Sequence, residues 1–62
     1  MKSYMTILTE SCEAHNISLK RAFIYAGVRD STFYRAKNGR DLRFDTAVKV
    51  AKAIEKLSAQ QG

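Results

Sequence analysis

Scarcity of chain breakers is the feature that most constrains this sequence. Its 62 residues contain no proline and three glycines, of which only Gly27 and Gly39 are interior. A sandwich or barrel of short strands needs turn residues about every 8–12 positions, and this chain does not supply them. A few helices joined at those glycines are the expected outcome. The length fits one small domain over residues 1–62, one that buries only roughly 60% of the surface its unfolded chain exposes. Hydrophobic residues at 45% and charged residues at 27% are too apolar a mixture for a disordered tail.

Four apolar stripes recur at helical spacing. The first helix is expected from an N-cap at Ser3 to about His15, with Met5, Leu8 and Cys12 inward and Ile7 widening the stripe. Glu10 and Glu13 face away, and Asn16 suits the left-handed position that ends a helix. The second runs from an N-cap at Ser18 to Ala26, burying Leu19, Ala22, Phe23 and Ala26, with Ile17 stapled back onto it and Gly27 ending it. The third begins near Asp30 or Ser31, with Asp30 favoured as its cap, and stops at Asn38-Gly39. The fourth spans about 44–57, with Ala47, Val50, Ala51, Ile54 and Leu57 as its stripe and residues 58–62 fraying.

The third helix differs from the others. At about 100° per residue, with Phe33 at about 0°, Ala36 falls at about 300°, while Ser31, Asn38 and Arg35 fall at about 160°, 140° and 200°. It hides a narrow stripe and turns a wide polar face to solvent. Charge gathers around it. Residues 19–43 hold seven basic side chains, including all five arginines, against Asp30 and Asp41, which equals the whole net charge of +5. Arginine's planar fork suits phosphates and guanine edges, so this cluster is an electrostatic footprint for a polyanion. Lys2, Lys49, Lys52 and Lys56 read as solvated surface.

Other chemistries find little support. One cysteine (Cys12) and one histidine (His15) cannot assemble a zinc site, and a lone cysteine implies a reduced compartment. His15 reads as structural, at a helix C-terminus. There is no glycine-rich phosphate loop, no secretory segment after Met1-Lys2-Ser3-Tyr4 and no apolar run long enough to cross a bilayer. Ser11, His15 and Asp45 are a chance Ser–His–Asp set. So small a core leaves no room for a pocket of several hundred Å³, the usual size of a ligand site. No enzyme activity, cofactor, metal, membrane or small-molecule ligand is expected.

Residues 18–38 therefore read as two short helices around a Gly27-Val28-Arg29 turn, the spacing of a helix-turn-helix unit. The stretch from Ile17 to Arg40, followed by Phe44-Asp45-Thr46-Ala47-Val48-Lys49-Val50-Ala51-Lys52-Ala53-Ile54, resembles the phage repressor/Cro-like (XRE-type) DNA-binding family over residues 17–57. Gly27, Asn38-Gly39 and Asp45-Thr46 carry the likeness by their joint spacing. The chain departs from the family at Leu19, where a polar residue is usual, at Phe23, where alanine is usual, at Ala36, where a larger residue is usual, and at Arg29, where a small or hydroxyl residue caps.

The resemblance implies an all-α, four-helix, lambda-repressor-like domain that regulates transcription by binding double-stranded DNA in sequence-specific fashion. It implies the cytoplasm of a bacterial or phage-infected cell; a homodimer on DNA, weak or absent in the free protein, is expected from the small core and from Ile24 and Tyr25, apolar but off the helix-two face, with helix four and the end of helix one as the available surfaces. Its third helix would enter the major groove. Asp30, Ser31 and Arg35 are then the base-reading residues, and Ser18, Lys20, Arg29, Thr32, Tyr34, Lys37, Asn38, Arg40 and Arg43 the phosphate contacts. Two other readings stay open: a protein–protein adaptor or antitoxin-like module of the same shape, and a non-specific binder of nucleic acid or anionic membrane surfaces.

Overall fold

A computed structural model of the protein describes residues 3–61. Lys2 and Gly62, read above as surface and frayed tail, lie outside the described residues. The domain is all-helical: α1 Tyr4–Ala14, α2 Leu19–Tyr25, α3 Asp30–Lys37 and α4 Phe44–Gln61. No strand occurs among the described residues. The radius of gyration, 10.6 Å, equals the about 10.6 Å expected of a compact chain this long. No helix among the described residues is long and apolar enough to cross a membrane.

The first three helices start and stop where short-range chemistry dictates. Ser3 caps α1, its side chain accepting from the Thr6 N–H, and Ser18 caps α2 by accepting from the Arg21 N–H. Each of the three then ends in one device, a left-handed residue closed by two backbone hydrogen bonds. Asn16, Gly27 and Gly39 take φ values of 56°, 79° and 108°. The Asn16 N–H donates to the Glu13 carbonyl (3.2 Å) and the Ile17 N–H to that of Cys12 (2.8 Å). Gly27 and Val28 donate likewise to Ile24 and Phe23, and Gly39 and Arg40 to Ala36 and Arg35. A Cβ at Gly27 would meet nothing within 4 Å, so glycine is required there by backbone conformation and not by space.

One core joins the helices. Leu8, Cys12, Ile17, Ala22, Phe23, Phe33, Ala36, Leu42, Ala47, Val50, Ile54 and Leu57 are buried together, with Met5, Leu19, Ala26 and Val28 packed against them. The α4 helix packs on both α1 and α2, while α3 packs chiefly on α2. The Phe23 and Phe33 rings meet edge to face at 5.1 Å, which fixes α3 against α2.

Four expectations are corrected. Arg29, not Asp30, is the N-cap of α3: its extended backbone (ψ 148°) presents a carbonyl to the Thr32 and Phe33 N–H groups, so Asp30 is already helical. Ile7 is 49% exposed, because α4 covers only the Leu8–Cys12 side of α1. In α4, Ala53 is buried and Ala51 is exposed. The two flank the stripe about 80° to either side at 100° per residue, and α2 covers the Ala53 side, where Tyr25 and Ala26 line a groove with it. The helix also continues to Gln61, with Gln60 Nε2 donating to the Tyr25 hydroxyl at 3.4 Å.

The segment between α3 and α4 is held by Leu42, which is buried, and by Asp41. Asp41 Oδ1 accepts from the Leu42 N–H (2.9 Å) and from the Tyr4 N–H (3.1 Å), the first amide of α1. A carboxylate there also complements the helix dipole. Replacing Asp41 by Ala should cost about 1 kcal/mol and lower the melting temperature by about 4–8 °C, read by circular dichroism.

Burial pushes the Cys12 thiol up from its ordinary value, because the thiolate is disfavoured in the core. The unfolded chain deprotonates near pH 8.5, the folded chain only higher. The Cys12 contribution to stability should therefore be constant below about pH 8 and decline as pH rises through the window between the two. Urea titrations at a series of pH values, with Cys12→Ala as control, test this; the control should lose that decline.

Candidate nucleic-acid interface

The α3 helix buries two residues, Phe33 and Ala36, and leaves the rest of its surface open. Asp30, Ser31, Tyr34, Arg35 and Lys37 are exposed and Thr32 is half-buried. Because α3 leans chiefly on α2, a cleft opens on each side of it. One, of about 570 Å³, is lined by Ser18, Lys20, Tyr34 and Lys37 over a floor that includes Leu19 and Phe33. The other, of about 460 Å³, is lined by Thr32, Arg35, Arg40, Asp41, Leu42, Arg43 and Thr46. The core was expected to leave no room for cavities of several hundred Å³. They form at the surface instead, along the flanks of a helix that stands away from the bundle.

These clefts gather eight of the twelve residues singled out in the sequence. Within the first, Lys20 Nζ lies 6.0 Å from the centre of the Tyr34 ring, at the outer edge of cation–π distance, so the ring leans toward the ammonium. Tyr34 also meets Phe33 edge to face at 5.5 Å. That contact holds the phenol at the surface beside the α2 N-terminus.

The second cleft is set by the cap of α3. In this type of helix ending, the residue after the left-handed position lies against the residue five before it, commonly as an apolar pair. Ile17 with Cys12 and Val28 with Phe23 follow that rule. At the end of α3 the two positions are Arg40 and Arg35, joined through their backbones at 3.0 Å. Arg35 and Arg40 both line the second cleft, with Arg43 and Asp41. Sequence reasoning found these arginines separately, but not that the cap would pair them.

The remaining candidates lie outside both clefts. Arg29, Asp30 and Ser31 form the first turn of α3, and no side chain caps it. Asn38 ends the helix with its N–H donating to the Tyr34 and Arg35 carbonyls, so that amide is committed to the helix end. His15 Nδ1 lies 2.9 Å from the Ser11 carbonyl oxygen, a local helix-end bond. Lys49, Lys52 and Lys56 line a separate groove with Tyr25.

Comparison with family models, with curated proteins and with solved structures finds no match to this chain.

Arg35 and Arg40 are exposed side chains outside the core. Replacing either by Ala should change unfolding free energy by no more than about 0.5 kcal/mol, measured in urea.

Proposed function

We propose that the protein is a sequence-specific double-stranded DNA-binding regulator, of the phage repressor/Cro-like kind, that lays α3 in the major groove. The observation that carries this reading is the construction of α3. It is a short helix buried on two residues only, with a polar outer face between two clefts lined by Lys20 and Lys37 on one side and Arg35, Arg40 and Arg43 on the other. A helix presented with cations on both flanks suits a groove walled by phosphates.

In this reading Asp30, Ser31 and Arg35 meet base edges. Asp30, being helical and not a cap, is free to accept from cytosine N4; Arg35 forks onto guanine O6 and N7. Ser18, Lys20, Arg29, Thr32, Tyr34, Lys37, Asn38, Arg40 and Arg43 position the duplex through its backbone. The protein binds as a homodimer, because one small reading head meets few base pairs. No cofactor, metal or small ligand takes part. A second reading, a protein-binding module of the same shape, draws on Ile24, which is 60% exposed on α2. Partner binding insensitive to salt, without duplex binding, would favour it.

The decisive comparison is between reading and holding. After selection of bound sequences from a random duplex pool, Arg35→Ala should cost about 1–3 kcal/mol per half-site on the preferred duplex and much less on random DNA. Arg40→Ala should weaken both equally and flatten the plot of log K against log salt by about one unit. Equal weakening by Arg35→Ala would make Arg35, like its neighbour across the cap, a phosphate contact.

A further inference from the structure

Three large apolar side chains meet on the outer surface where α1 and α4 begin. Phe44 is 64% exposed, Ile7 49% and Tyr4 37%. The Tyr4 and Phe44 rings lie 6.1 Å apart at 59°. Ile7 follows Tyr4 by three residues, so the two are neighbours on the helix surface. The patch amounts to about a few hundred Å², the size of the largest apolar patch on a typical monomer, which is often functional. We infer that it is the face on which a second copy of this chain docks when two copies occupy adjacent half-sites. This rests on the DNA-binding reading above.

Area, position and charge favour a second copy as the occupant. A stable free complex buries on the order of 800 Å² per partner, more than these side chains can supply, so the contact alone cannot hold a dimer in dilute solution. DNA that carries two copies raises their effective concentration to about millimolar, where a weak contact counts. The patch is also continuous with the proposed DNA interface. Phe44 follows Arg43 directly, and the Tyr4 N–H is bonded to Asp41 in the segment that bears Arg40 and Arg43. Copies joined here keep both arginine clefts at the edge of the contact, next to the duplex. A net charge of +5 drives free copies apart, and phosphates remove that repulsion. An apolar patch matches its own copy across a two-fold axis without needing complementary charge. Ile24 and Tyr25 are less suited to the role: Tyr25 borders the lysine groove and is bonded to Gln60.

Two measurements test the face. In the first, amide and side-chain resonances of the free protein are followed from about 2 mM down to about 50 µM, a range that brackets a weak contact. Shifts should be confined to Tyr4, Ile7, Phe44 and their neighbours, and vanish in Ile7→Ser and Phe44→Ser. The Ile7→Ser variant keeps the test open should Phe44→Ser disturb the start of α4. Shifts centred on Ile24 and Tyr25, or none at all, overturn the assignment. In the second, the random-duplex selection is run with the unaltered protein and both variants. The unaltered protein should enrich paired half-sites at one spacing, with cooperativity on the order of tenfold, and the variants single half-sites. If the unaltered protein enriches single half-sites, the docking face is wrong and the DNA-binding reading stands. If no protein enriches any sequence, the DNA-binding reading fails, and the dilution series alone decides whether the face self-associates.

Discussion

Direction reversal is the main difficulty for a helical chain this short, and one backbone device solves it three times. Asn16, Gly27 and Gly39 each take a positive φ, and two hydrogen bonds close the end of the helix before it. Every reversal therefore uses few residues and satisfies carbonyls that a helix end would otherwise leave open. The geometry also decides what packs. It places Ile17 beside Cys12 and Val28 beside Phe23, so the first two reversals are themselves part of the core. With those corners fixed, Phe23 is carried to Phe33, and α4 closes over α1 and α2.

The cost of this economy falls on α3. It follows the second reversal, touches chiefly α2 and buries two side chains. A helix of eight residues does not hold itself together in water. Its persistence depends on the Phe23–Phe33 contact and on the loop beyond it, where Leu42 is buried and Asp41 reaches the first amide of α1. The loop thus links the start of α1 to the end of α3, and the exposed helix is held from both ends. A site assembled this way is presented by the fold without being part of its core, and its side chains are free to vary at small cost in stability.

Much of this was legible because the signals are local. Ser3 and Ser18 as caps, Asn16, Gly27 and Gly39 as terminators, and the stripes through Leu8–Cys12 and Ala22–Phe23 each depend on a few consecutive residues. What escaped depends on distant ones. Ala51 and Ala53 are equivalent by periodicity, and only the position of α2 separates them. Asp41 reads as one more surface charge until its 37-residue reach to Tyr4 is known. The α4 extension carries no apolar mark, since Ala59 and Gln60 favour helix without adding to a stripe. The candidate DNA residues were legible as a cluster of cations around a thinly buried helix. Their division between two clefts was not, because it depends on where α3 stands relative to the bundle.

The third reversal is also where the chain breaks its own rule. Apolar residues at the two apposed positions stabilise the cap after α1 and after α2, and the same pair after α3 would have enlarged a core that a 62-residue domain can barely assemble. Two arginines stand there instead, with a third in the same cleft. In water this arrangement forgoes an apolar contact and gathers three cations against one carboxylate, Asp41, in a single cleft. Local choices that oppose stability tend to concentrate where a partner compensates for them. A polyanion seated in that cleft would offset that excess of positive charge, and any ligand that binds the folded state alone stabilises it. If the proposed function holds, a phosphate-bearing partner in that cleft would couple its own binding to the folding of the domain.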